Sequence, residues 1–183
     1  MSPDLPDGVV LIPLAPHRDH RGSLTEVFRR GWETPGAPAQ WNLTTSETGV
    51  LRGIHVHLDH SDYVVVATGR ADIGLSDIRR GSPTEGLATV VPLSEDEPAG
   101  LVIPPGVLHG FHFHERSILL YGLSEEWDPE DDIACRWDDP DAAIPWQVDD
   151  PLLSDRDAEA RPLREILPLI DPAEPIGGPA HTR

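Results

Sequence analysis

The stretch Gly49-Val-Leu-Arg-Gly-Ile-His55-Val-His57-Leu-Asp-His60-Ser-Asp62-Tyr-Val-Val-Val-Ala-Thr-Gly69 decides the fold. Its β-branched runs, bounded by glycines, predict a pair of strands. In strand geometry residues i and i+2 face one side, so His55 and His57 should point into a common interior. Further along, Pro104-Pro-Gly106-Val-Leu-His109 adds a third imidazole on another predicted strand. Three imidazoles and the Asp62 carboxylate converging there would form a site for a divalent transition metal: iron, manganese, nickel or zinc.

The same punctuation continues through the chain. Strands are expected at 8–14, 22–28, 40–46, 49–58, 63–68, 70–77, 88–93, 100–103, 107–113 and 117–124, separated by turn signals such as Arg80-Gly-Ser-Pro-Thr84 and Pro98-Ala-Gly100. A helix is expected over 155–166, with Ser154 as its N-cap. Many short, evenly spaced strands predict an all-β antiparallel barrel or jelly roll. One domain over 1–167 and a loose Pro- and Gly-rich tail over 168–183 complete the expected organisation.

Composition narrows the partners. The chain has 183 residues, 32 Asp and Glu against 14 basic residues, and a formal charge of −18. Such a surface repels nucleic-acid phosphates and anionic lipid. No apolar run reaches the roughly 20 residues of a membrane span, and no signal-peptide pattern opens the chain. The single Cys135 has no disulfide partner, which fits a cytoplasmic location. Every basic residue is Arg, so no side-chain ammonium is available for catalysis.

Gly49, His55, His57, Asp62 and Gly69, followed by Pro104, Gly106 and His109, resemble the two signatures of the cupin superfamily, with Asp in place of the usual Glu. The resemblance implies a double-stranded β-helix, or jelly-roll, barrel. Longer runs are similar to the dTDP-4-dehydrorhamnose 3,5-epimerases: Asp19-His-Arg-Gly-Ser-Leu-Thr-Glu26-Val-Phe28, Gln40-Trp-Asn42-Leu-Thr-Thr-Ser46, Asp77-Ile-Arg79-Arg-Gly-Ser-Pro-Thr84, Trp137-Asp-Asp-Pro140 and Leu153-Ser-Asp-Arg-Asp157. That family is a homodimeric cupin that epimerises carbons flanking the ketone of a nucleotide-linked 4-keto sugar.

By position, the resemblance makes His55 the proton-abstracting base and Asp157 the carboxylate that orients it. Arg21 and Arg52 match positions that clamp the diphosphate. Glu26, Gln40 and Asn42 match polar groups of the same pocket. Two catalytic positions differ: the family's Lys falls at Asp62 and its acid Tyr at Trp127. An indole does not shuttle protons at neutral pH, and a carboxylate beside an enolate is repulsive. A metal on His55, His57, Asp62 and His109 would replace the missing cation and polarise a carbonyl. His55 as ligand and His55 as base exclude one another, and the sequence leaves both open.

Three activities follow. The first is a metal-dependent isomerase or epimerase acting on a nucleotide-linked keto sugar or similar α-hydroxy ketone. The second is an Fe(II) dioxygenase or hydroxylase on the same ligands. The third is a non-catalytic sugar-nucleotide binding protein. Glu125 and Glu126 are further candidate acids, and Trp137 and Trp146 are either stacking platforms for a base or core residues.

Overall fold

The computed structural model describes residues 4–32 and 37–170. Among the described residues, twelve strands form in chain order: β1 Val10–Pro13, β2 Pro16–Asp19, β3 Gly22–Thr25, β4 Gln40–Ser46, β5 Leu51–Val56, β6 Asp62–Thr68, β7 Arg70–Asp77, β8 Ala88–Ser94, β9 Ala99–Ile103, β10 Val107–Phe113, β11 Ser117–Leu123 and β12 Ile133–Ala134. One five-stranded sheet has the order β1-β9-β6-β11-β4 and the other β12-β5-β10-β7-β8, with β2 and β3 as a separate hairpin. All the pairings within these sheets are antiparallel.

Alternation along the strands builds the core. Val64, Val66, Leu101, Ile103 and Leu119 of the first sheet meet Ala71, Ile73, Leu75, Val91, Leu93 and Phe113 of the second. Every second residue of a strand faces inward, so these runs fill the space between two facing sheets. The result is the cupin-type jelly roll expected from the sequence. The intervening residues Tyr63, Val65 and Val102 face the other way, under Val27, Phe28 and Trp32.

The second sheet is covered on its outer face by the C-terminal segment. Ile54, Val56 and Leu108 pack there with Cys135, Ala142, Leu163, Ile166 and Ile170. Trp137 and Trp146 join this layer, and Trp146 Nε1 donates to the Trp137 carbonyl at 3.0 Å. Both indoles are therefore core residues. Burial pushes the Cys135 thiol up to about 12, which keeps it protonated.

Two local expectations need correction. The helix over 155–166 is broken into α1 Asp155–Ala158 and α2 Leu163–Ile166. Pro162 is the cause, since it disfavours helical backbone in the residue before it. Arg161 forms a parallel bridge with Cys135 instead. The tail expected from residue 168 falls mostly outside the described residues, but Ile170 is buried in the outer layer.

Candidate active site

A cavity of about 260 Å³ lies between the two sheets, with His55, His57, His60, Asp62 and His109 in its lining. Tyr121, Trp127, Asp132, Arg156 and Asp157 also contribute, and Thr44 and Arg52 complete its polar wall. As the i, i+2 spacing predicts, His55 and His57 reach the same space.

The backbone brings the segment containing Asp157 alongside β5. Leu51 N–H donates to the Leu152 carbonyl at 2.9 Å, and Leu152 N–H returns to Gly49 at 2.8 Å. Ser154 caps the helix that follows: the Asp157 amide donates to Ser154 Oγ at 3.1 Å, and Ser154 Oγ donates to Asp157 Oδ2 at 2.9 Å. Asp157 Oδ1 then stands 2.8 Å from His55 Nε2. Burial works against ionisation of Asp157, but hydrogen bonds from His55, Ser154 and the Gly53 amide outweigh it and hold the carboxyl below its usual value.

The other face of the His55 ring meets a second carboxylate. Asp132 Oδ1 lies 3.4 Å from His55 Nδ1. The two-residue ladder of β12 on β5, pairing Ile133 with Val56, puts Asp132 there. Arg156 holds Asp132 in place, donating to Oδ2 at 2.7 Å and to its carbonyl at 2.6 Å.

His57, Asp62 and His109 form a different group, whose donor atoms all lie within 4.8 Å of one another. His55 is not a member, because both its ring nitrogens face carboxylates. The expected four-residue metal set is thus corrected at that position. His60 Nε2 is 3.9 Å from Asp62 Oδ2, but His60 groups with His57 and Asp131 and not with Asp62 and His109. Asp62 starts β6, and its burial raises its pKa, with His57 and His60 acting in the opposite direction. Burial likewise lowers His57 and His109 to about 4, so both imidazoles are neutral at pH 7.

The proposed substrate residues divide. Arg52 lines the cavity, with Nε donating to Ser46 Oγ at 2.8 Å and Nη2 to the Thr45 carbonyl at 3.2 Å. Gln40 and Asn42 share the half-buried face of β4 with Thr44, and Gln40 Nε2 donates to Asn42 Oδ1 at 2.9 Å. Gln40 Oε1 accepts from the Trp127 amide at 3.0 Å. The Trp127 side chain is exposed at the cavity. Arg21 and Glu26 do not line it; Arg21 pairs with Asp19 on the exposed hairpin, and Glu26 pairs with Arg29. Glu125 and Glu126 are exposed and line no part of the cavity.

Tyr121, Asp132 and Arg156 of the cavity lining escaped sequence reasoning, as did Asp131, which sits behind His60. The run Asp128-Pro-Glu-Asp131-Asp132 reads as a solvated acidic loop, and β12 is too short to carry a strand pattern. A further grouping, Asp72 with His112 and His114, lies on the outer face of β7 and β10.

The model for dTDP-4-dehydrorhamnose 3,5-epimerase matches residues 5–165. The chain belongs to that family. A dTDP-4-dehydrorhamnose 3,5-epimerase of Methanothermobacter thermautotrophicus is 34% identical over 169 residues, covering 87% of this chain and 91% of the relative. A dTDP-4-dehydro-6-deoxyglucose 3-epimerase of a Streptomyces species is also 34% identical, over 88% of this chain and 84% of its own. Among solved structures, a 3'-monoepimerase from Streptomyces bikiniensis in complex with dTDP-quinovose superposes with a TM-score of 0.81 at 31% identity, covering 92% of this chain and 90% of that one. The chain is an enzyme of the isomerase class. Among the described residues, no helix is long and apolar enough to cross a membrane.

Proposed function

We propose that this epimerase-family enzyme inverts a carbon flanking the ketone of a dTDP-linked 4-keto sugar, with His55 as the base. The observation that carries the reading is the 2.8 Å contact between His55 Nε2 and Asp157 Oδ1 inside the cavity. A carboxylate accepts but does not donate, so Nε2 carries the proton and Nδ1 keeps a lone pair. Removal of the α-proton makes an enolate and an imidazolium, and Asp157 and Asp132 flank that cation.

Inversion needs a proton from the opposite face. Tyr121 is the phenol in the cavity lining. Burial, reinforced by the charge of Asp62, raises its pKa and keeps it protonated. We assign it the acid's role, since the Trp127 indole transfers no proton at neutral pH. The enolate oxygen needs a positive partner. With no lysine in the chain, a divalent cation held by His57, Asp62 and His109 would supply that charge.

The cavity volume, about 260 Å³, is below the roughly 300–1,000 Å³ of pockets for drug-sized ligands, so it suits the sugar while the nucleotide lies outside. Arg52 meets the diphosphate, a fit of guanidinium to phosphate oxygens. Arg21 and Glu26 come to the site from a second copy, which would also cover the exposed Leu24 and Leu43. A homodimer is therefore part of the reading, as is a cytoplasmic location beside other sugar-nucleotide enzymes.

The test is incubation with dTDP-4-keto-6-deoxyglucose in D2O, followed by NMR. Deuterium at C3 or C5 with no oxygen uptake is the expected result. Unlabelled sugar after prolonged incubation overturns the reading.

A further inference from the structure

The cavity gathers three buried hydrogen-bond acceptors around one point. Asp62 Oδ2 lies 4.0 Å from His57 Nε2 and 3.6 Å from His109 Nε2, both too long for a hydrogen bond between them. These atoms all fall within 4.8 Å of one another, and all three side chains line the cavity. What lies behind the rings fixes their character. His57 Nδ1 is 3.3 Å from the Asp131 carbonyl, and His109 Nδ1 is 3.0 Å from the Val107 carbonyl. A carbonyl oxygen only accepts, so Nδ1 carries the proton in each ring and Nε2 presents a lone pair. The His60 ring stacks on His57 with centroids 4.2 Å apart, and Asp131 Oδ2 lies 3.0 Å from His60 Nδ1, so the His57 ring is held from the side as well as from behind.

Three converging acceptors select a group with three protons to donate. A sugar hydroxyl brings one, whereas a primary ammonium brings three and accepts nothing. The spacing agrees. Hydrogen bonds of about 2.7–3.2 Å from one nitrogen reach all three atoms where they stand, without drawing them together. Charge points the same way. Asp62, Asp132 and Asp157 line the cavity against Arg52 and Arg156, and Arg156 is already paired with Asp132.

We propose that the substrate of this site is an amino-substituted 4-keto sugar, whose primary ammonium, beside the ketone, donates to His57 Nε2, His109 Nε2 and the Asp62 carboxylate. The inference rests on the epimerase reading above and deepens it by naming the substrate class. The positive partner that the enolate oxygen needs then arrives with the substrate itself, in the place a metal ion would hold. His109 stands opposite His55 in the ladder of β5 and β10, so the ammonium is held next to the base. Asp62 thereby does by attraction what a lysine at that position would do by its own charge.

The test is titration calorimetry at neutral pH, with EDTA present, on two stable ligands that differ in one group: dTDP-3-amino-3,6-dideoxyglucose and dTDP-quinovose. The parent protein should bind the amino sugar about 10- to 100-fold more tightly, the range expected for hydrogen bonds to a charged group. Asp62→Asn, with a thermal melt confirming its fold, should bring the two affinities close together. Equal affinity of the parent for both ligands overturns the inference, whatever the variant does. So does an undiminished preference in folded Asp62→Asn. Equal affinities alongside deuterium exchange into the unsubstituted keto sugar remove this inference alone. A clear preference with no exchange into the 4-keto form of either sugar removes the epimerase reading and leaves the ammonium site.

Discussion

Asp132 Oδ1 stands 3.4 Å from His55 Nδ1, on the ring edge opposite Asp157. Its Oδ1 is buried and has no hydrogen-bond partner. A neutral imidazole offers that oxygen only a lone pair, whereas an imidazolium offers a proton. The pair is therefore better satisfied after proton abstraction than before it, the condition for lowering a barrier. Asp132→Asn should reduce kcat about 10-fold with little change in KM, read from steady-state kinetics on the keto sugar. An equal loss in KM alone would assign Asp132 to substrate binding.

Asp157→Asn should cost about 10²- to 10⁴-fold in kcat, since an amide can present its N–H to His55 and favour the wrong tautomer. The folded-state carboxyl lies below its usual range. Its contribution to stability is therefore present above the unfolded carboxylate pKa and lost as pH falls below it. Circular dichroism during acid titration should show the variant losing less stability than the parent between pH 5 and the acid limb.

Tyr121→Phe should separate the two proton transfers. Loss of a positioned acid costs about 10²- to 10⁴-fold in epimerised product. His55 would still take the α-proton, so exchange into solvent should outlast product formation. NMR in D2O measures both rates from one sample. Loss of both rates in parallel would show that Tyr121 is not the acid.

Asp77 bears on stability alone. It accepts from Arg79 Nε at 2.8 Å, and from Ser82 and Thr84 hydroxyls at 2.6 Å each. Burial opposes its ionisation, yet these donors hold its pKa at about 2. A lowered folded pKa stabilises the protein above the unfolded value and is lost as pH falls from about 4 towards 2. At about 1.4 kcal/mol per unit, the contribution is about 2 kcal/mol. Asp77→Asn should lower the urea midpoint at pH 7 and bring it towards the parent's below pH 3.

Gly53→Ala tests how β5 and β10 carry the site. Gly53 has φ of +109°, and an added Cβ would sit 3.0 Å from Gly110 Cα and from the His109 carbonyl. The pairing slips here, with His109 opposite His55 but Gly110 opposite Gly53. Backbone strain of about 1–3 kcal/mol is expected. A melting temperature lowered by several degrees is the readout, with Gly81→Ala, in open space but also at positive φ, as the reference.

Much of this architecture is written in residue periodicity. Short apolar runs separated by turn residues make the jelly roll readable, and the i, i+2 spacing makes the common direction of His55 and His57 readable. The Ser154 cap is also local, and its hydrogen bond forms as the sequence implies. What escapes is non-local. His55 differs from His57 because two distant acidic segments, around Asp132 and Asp157, reach it. His60 is held by the distant Asp131, whose Oδ2 lies 3.0 Å from its Nδ1. Neither effect leaves a pattern within the strand. Pro162 does leave one, and it breaks the expected helix.

The most direct measurement compares deuterium incorporation into the same dTDP-4-keto sugar by the parent enzyme and by His55→Asn, under one condition and with matched melting curves. The parent should label the carbon beside the ketone, and the variant should leave it protiated over the same interval. Labelling by folded His55→Asn at the parent's rate would contradict the assignment of His55 as the proton-abstracting group.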